Sequence, residues 1–176
     1  ADVVTQQADA IAELGTKLVY LNDKTFGQAA NYKDLTAINK QILAKNPDFK
    51  GFVVQTTAAQ LKVMSPEFLK ESGIKFVELG VESYNDPILK EMHKPATESM
   101  INQVTDKLRQ AGIALIPNII IGHPSETAAT YAKTLKFLQD NKDIISHANI
   151  YNLALCKGAG LGKKVISISD GDFNEN

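Results

Sequence analysis

An α/β fold of parallel strands, bent into an arc of a (β/α) barrel, is what this sequence predicts, and three observations carry that reading. Five short apolar runs rich in β-branched and aromatic residues alternate with helical patterns, beginning with a helix. Successive runs lie about 30 residues apart, the usual size of a right-handed βαβ unit. Polar residues within two of the runs fall on one face only, which suits an arc whose inner face lines a solvated pocket.

The elements follow in order. Val4 to Leu14 is amphipathic and helical, and Lys17 to Asn22 is the first strand. The segment Asn22-Asp23-Lys24-Thr25-Phe26-Gly27 is a polar loop. Tyr32 to Asn46 is a helix with Leu35, Ile38, Ile42 and Leu43 on one side, followed by a strand over Gly51 to Thr56. Ser65-Pro66 opens a short helix as cap and first-turn proline. The third strand is Lys75 to Val81, and Asp86-Pro87 repeats the opening before Ile88 to Met92. Thr97 starts a longer helix striped by Ile101, Val104, Leu108 and Ala111, with Gly112 at a left-handed stop. The strand Ala114 to Ile121 leads through Gly122-His123-Pro124-Ser125-Glu126-Thr127 into a helix over Ala128 to Asn141, expected to bury Tyr131, Leu135 and Leu138. His147 to Leu153 is the last strand.

An open doubly wound sheet and an arc both satisfy the periodicity, and side-chain alternation favours the arc. In the third strand Val77, Leu79 and Val81 share one face while Glu78, Gly80 and Glu82 share the other. In the fourth, Asn118, Ile120 and Gly122 stand together and Ile119 and Ile121 point away. Helices covering both faces would bury those carboxylates unpaired, at high cost. The arc leaves them solvated, and function belongs at the carboxyl ends of the strands, where α/β folds place ligands.

Composition narrows the function classes. A chain of 176 residues with 44% hydrophobic residues fits one domain. The net charge is −1, with lysines and glutamates interspersed, which gives nucleic-acid binding no support. No apolar stretch reaches the roughly 20 residues of a membrane span, and Ala1-Asp2-Val3 is unlike a signal peptide, so a cytoplasmic location is expected. Cys156 is the single cysteine, so an intrachain disulfide and a cluster held by this chain's own thiolates are both excluded. The three histidines lack ligand spacing. His93 and His147 read as surface or turn residues and His123 as a mouth-loop residue able to touch substrate, while Lys24 and Lys94 could steer an anionic one. The missing initiator Met and the polar ending Ser167 to Asn176 point to a piece of a longer chain, with a core over residues 1–162 and a tail over 163–176.

The succession Asp23-Lys24-Thr25-Phe26, Leu79-Gly80-Val81-Glu82-Ser83, Leu89-Lys90-Glu91-Met92-His93-Lys94 and Ile119 to Thr127 resembles radical S-adenosylmethionine (SAM) enzymes, most of all the branch with cobalamin-associated and methylthiotransferase-type members. The match runs from about Asp2 to Leu161. It implies a six-stranded three-quarter barrel of which this chain holds the second to sixth strands, without the first strand and its Cys-x-x-x-Cys-x-x-Cys loop. It also implies a [4Fe–4S] cluster that reductively cleaves SAM to a 5′-deoxyadenosyl radical, an electron donor such as flavodoxin or ferredoxin, an unassigned substrate, and cobalamin as an option. The fragment by itself is then expected to be inactive.

By the same resemblance, Asn22 and Asp23 fall where the methionine amino group is met, as suits a group that only donates. Glu82 and Ser83 fall where the ribose hydroxyls or the carboxylate are met. Asn118, Ile120 and Gly122 match the adenine-binding strand, and Glu126 fixes the loop behind it. Gln55 and Thr56 stand where many relatives carry a carboxylate-binding Arg, and Asn149 and Tyr151 lie on the last strand. Lys157-Gly158-Ala159-Gly160 departs from the relatives' Pro-Gly-Thr turn. Two rivals stay open: a phosphate-binding (β/α) barrel using that glycine turn, and a cluster-less scaffold domain.

Overall fold

The computed structural model describes residues 3–154. Cys156, the turn at 157–160 and the tail lie outside the described residues. The order is α1 (Val3–Glu13), β1 (Leu18–Leu21), a 3-10 turn (Ala30–Asp34), α2 (Leu35–Lys45), β2 (Gly51–Thr56), α3 (Ala58–Val63), α4 (Pro66–Glu71), β3 (Ile74–Glu82), α5 (Asp86–Glu91), α6 (Glu98–Ala111), β4 (Ala114–Ile121), α7 (Ala128–Asp140) and β5 (Asn149–Asn152). The five strands pair in chain order, all parallel, as a half-barrel.

One face of this sheet carries the core. Phe52 and Val54 of β2, Val77, Leu79 and Val81 of β3, and Leu115 and Ile119 of β4 are buried against Ile42, Leu61, Leu69, Leu89, Leu108 and Phe137 of the helices. Each such Leu or Ile contributes roughly 1.5–3 kcal/mol over its exposed state. The opposite, inner face is partly open, with Leu18 42% and Tyr20 46% exposed while Val53 and Ile116 are buried. The alternation in β3 and β4 thus points as expected.

Local signals end the helices where they should. Ser65, Thr97 and Thr127 accept the N–H three residues on, Thr127 within a full capping box, and Gly112 closes α6 at φ 68°. Three details differ from expectation. The α3 helix, capped by Thr57, begins directly after β2 with no loop to announce it. On α2 the buried stripe takes Asn39, whose amide donates to the Glu71 carbonyl at 3.5 Å, and leaves Leu43 exposed. On α7, Thr134 and Phe137 are buried and Tyr131 is 38% exposed. The cause is Tyr84, which stacks on Phe137 at 4.5 Å between centroids and sets the helix rotation.

Two contacts hold the layers together. At the start of β2, Gly51 has φ 130°, and a Cβ there would stand 2.0 Å from the Gly73 carbonyl oxygen. Lys107 of α6 donates to the carbonyls of Leu61 at 3.0 Å, Lys62 at 2.8 Å and Met64 at 2.9 Å, capping the end of α3, and burial lowers its pKa. Gly51→Ala is therefore expected to cost more than about 2 kcal/mol. Lys107→Met, which strands three carbonyls, should cost about 1–3 kcal/mol. Urea midpoints at constant m-value measure both.

Candidate functional site

Four neighbouring strands end at one cavity of about 520 Å³. Gln55 from β2, Gly80 and Glu82 from β3, Asn118 and Ile120 from β4, and Tyr151 from β5 line it, and Lys24 and Lys94 stand at its rim. Register explains the convergence. Gly80 pairs with Asn118, which pairs with Asn149, and Ile120 pairs with Tyr151, so one row after another faces inward. The Asn149 amide donates to Asn118 Oδ1 at 2.9 Å, which fixes the Asn118 head group.

The end of β3 departs from regular pairing. Gly80 opposes Asn118 and Glu82 opposes Ile119, so Val81 is an extra residue, and Glu82 takes a left-handed φ of 62°. That conformation costs a non-glycine residue about 1 kcal/mol or more and aims the carboxylate across the cavity. Lys94 Nζ meets Glu82 Oε1 at 2.8 Å, with the Glu82 side chain 13% exposed. A Cβ at position 80 would lie 3.0 Å from that same oxygen, so glycine leaves the carboxylate its room.

Ser83 turns away from the cavity. It is buried, and its Oγ accepts from the Asn85 amide at 3.2 Å, which also donates to the Thr130 carbonyl at 3.0 Å and Thr134 Oγ1 at 3.3 Å. The Gly122 N–H donates to Glu126 Oε2 at 2.8 Å, so Glu126 closes its loop on Gly122. Ser125 Oγ donates to Glu91 Oε2 at 2.7 Å and ties that loop to α5. His123 is buried, not at the mouth. Its Nδ1 accepts the Ser125 N–H at 3.2 Å, and its Nε2 has no partner among the described residues.

Asn22 and Asp23 line a neighbouring, mostly apolar pocket of about 330 Å³ together with Ile11, Phe26, Tyr32 and Phe52. Asp23 Oδ1 accepts the Thr25 N–H at 3.1 Å, an Asx turn. The loop is pinned to β2 by the Phe26 N–H on the Gln55 carbonyl at 2.8 Å and by Thr56 Oγ1 on the Phe26 carbonyl at 2.6 Å. Lys24 and Thr25 thereby reach the larger cavity while Asn22 and Asp23 remain beside it. Sequence reasoning did not single out the Tyr20–Glu78 contact, a hydroxyl donating to Oε2 at 3.1 Å. Alternation within Leu18-Val19-Tyr20-Leu21 was the available signal.

The profile of the Radical SAM superfamily matches residues 1–138. The chain belongs to this superfamily. The ribosomal protein uS12 methylthiotransferase RimO of Geotalea uraniireducens is 33% identical over 70 residues, 39% of this chain and 16% of that protein. The tRNA-2-methylthio-N(6)-dimethylallyladenosine synthase of Erythrobacter litoralis is 31% identical over 117 residues, 62% of this chain and 25% of that protein. The chain thus spans a quarter or less of the length of these relatives. Among solved structures, the radical SAM methyltransferase TsrM of Kitasatospora setae, with cobalamin and a [4Fe–4S] cluster bound, superposes at a TM-score of 0.66 with 14% identity, over 84% of this chain and 29% of that one. Coproporphyrinogen III oxidase (HemN) of Escherichia coli gives 0.60 with 17% identity, over 86% and 36%.

The superfamily uses a [4Fe–4S] cluster and SAM. Three thiolates for such a cluster are not present in this sequence, whose single cysteine is Cys156. The residues therefore do not fit the cluster. Those of the large cavity fit a nucleoside: an aliphatic wall at Ile120, amides at Gln55 and Asn118, and a carboxylate at Glu82.

Burial first, and then the neighbouring Glu78 carboxylate, raise the Tyr20 pKa above its ordinary 10.0. The raised value means that the phenol contributes stability below the ordinary value, lost as pH rises through the folded one. In an alkaline titration followed at the tyrosinate absorbance band, the component titrating later than free tyrosine should vanish in Tyr20→Phe.

Proposed function

We propose that this chain supplies the SAM-binding half-barrel of a radical SAM enzyme of the methylthiotransferase-like branch. The observation that carries the reading is the gathering of Gln55, Glu82, Asn118, Ile120 and Tyr151 from four strand ends around one cavity, in a chain of this superfamily. Ile120 packs on the adenine face, which is weakly hydrated, and the Asn118 amide, held by Asn149, reads a polar edge. Glu82 accepts from the ribose hydroxyls, and its ion pair with Lys94 holds it in place. Asp23 retains lone pairs beyond the one given to Thr25 and, with Asn22, receives the methionine ammonium. Gln55 and Tyr151 border the sulfonium end. Ser83 and Gly122 act one step back, fixing the two loops that frame the nucleoside.

Beside a reduced cluster supplied by other polypeptide, the SAM sulfonium would take up one electron and divide into methionine and a 5′-deoxyadenosyl radical able to abstract hydrogen. In this reading the three thiolates come from polypeptide outside this sequence, so the fragment binds the nucleoside but does not cleave it. A cytoplasmic setting and a flavodoxin- or ferredoxin-type reductant accompany the proposal, and cobalamin, seen in the TsrM structure, remains an option for the whole protein.

Binding of S-adenosylhomocysteine, which needs no cluster, tests the reading by calorimetry. Wild-type chain should bind, Ile120→Asp and Glu82→Gln should each weaken binding about tenfold or more, and Ile150→Asp, on the other face of β5, should not. Equal affinity across all four proteins, or no binding to the wild type, refutes it.

A further inference from the structure

Toward the amino ends of the strands the inner face changes character. Tyr20 of β1, Val53 of β2, Phe76 of β3 and Ile116 of β4 share it by alternation with Gln55, Gly80 and Asn118, and they make it largely apolar. Glu78 stands in the middle of this floor, between Gln55 and Ile116 in register and, with Val81 bulged out of the ladder, roughly 10 Å below Glu82 at about 3.3 Å per residue. Its Oε2 accepts the Tyr20 hydroxyl at 3.1 Å, and no cation among the described residues pairs with it. Glu82, the other carboxylate on this face of β3, already has Lys94.

We infer that the substrate entering this lumen presents a cationic nitrogen, an ammonium or guanidinium on an apolar stem, to Glu78, and that carboxylate and phosphate groups are turned away at this depth. The inference rests on the nucleoside reading for what lies above it and names the class of what lies below. A carboxylate in water is solvated, but a ligand that fills the floor displaces that water. The charge is then tolerated only if the ligand brings donors of its own. Tyr20 cannot neutralise it, because a phenol donates a single proton and leaves most of the four carboxylate lone-pair sites unfilled. An anionic group would meet both Glu78 and an apolar surround that strengthens the repulsion. The half-buried Phe76 and the exposed ring of Tyr20 offer the stem its contact surface, with Val53 and Ile116 buried beneath them.

Phenethylamine and 3-phenylpropionate, matched in shape and opposite in charge, are the probes, titrated into the chain and followed by amide chemical shifts. The amine should bind about tenfold or more tightly than the acid, with shifts at Tyr20, Phe76 and Glu78, and Glu78→Gln should abolish the difference while Tyr20→Phe preserves it. Equal affinities, preference for the acid, no binding of either probe, or a preference that survives Glu78→Gln overturns the inference. The wild-type ratio needs no variant, so a Glu78→Gln protein that fails to fold does not rescue it. S-adenosylhomocysteine titrated in parallel separates the two claims. Loss of the amine preference with intact nucleoside binding removes this inference alone, and the converse removes the nucleoside reading alone.

Discussion

The rest of the molecule depends on one buried edge of one strand. Val77, Leu79 and Val81 of β3 are each fully excluded from solvent, and a strand's period of two then obliges Glu78, Gly80 and Glu82 to face the other way. A slip of one residue would bury two carboxylates and expose three aliphatic side chains, so the register has no near competitor. Because β2 and β4 are paired to this strand on either side, their own polar residues, Gln55 and Asn118, are drawn onto the same inner surface. The chemistry of the cavity is inherited from the packing of the opposite face.

The alternation is broken once, at the carboxyl end of β3, and there the break is useful. The extra residue at Val81 and the left-handed turn at Glu82 let the carboxylate remain over the cavity while the next residue passes into the helical layer. Ser83 then joins Asn85, Thr130 and Thr134 in a buried polar cluster, roofed by the stacked Tyr84 and Phe137 and by Lys133, whose ammonium lies 5.7 Å from the Tyr84 ring centre. A cluster whose donors are met is rigid, and it offsets the backbone strain at the residue before it. The rim is thus held from behind by residues that never reach the ligand side.

Much of this was readable from the residues in order. Burial on one side makes the pattern of β3 and β4 explicit, and caps such as Ser65-Pro66, Thr97 and Gly112 act on their own immediate backbone, so local rules find them. Gln55, Glu82, Asn118, Ile120 and Tyr151 were named by the resemblance to radical SAM enzymes, and one cavity has all five in its lining. What escaped depends on distant partners. Whether α7 buries Tyr131 or Phe137 is decided by Tyr84, and whether α2 buries Leu43 or Asn39 by a carbonyl at Glu71. The six-residue α3 has too little length to show a period. A bulge leaves no compositional trace, so Ser83 could not be separated from Glu82. The Asp23 N–H on the Leu21 carbonyl at 2.8 Å turns the chain early and carries Asn22 and Asp23 to the neighbouring pocket.

The order of the strands, each beside its predecessor, has a consequence for how the protein is made. None of the five described strands waits for a partner that emerges much later from the ribosome, since each ladder among them forms with the strand synthesised just before. Contacts of such separation carry a smaller loop-closure cost than pairings between distant strands and suit vectorial folding. The growing sheet can add one βα unit at a time, each new helix shielding the strand that preceded it during translation.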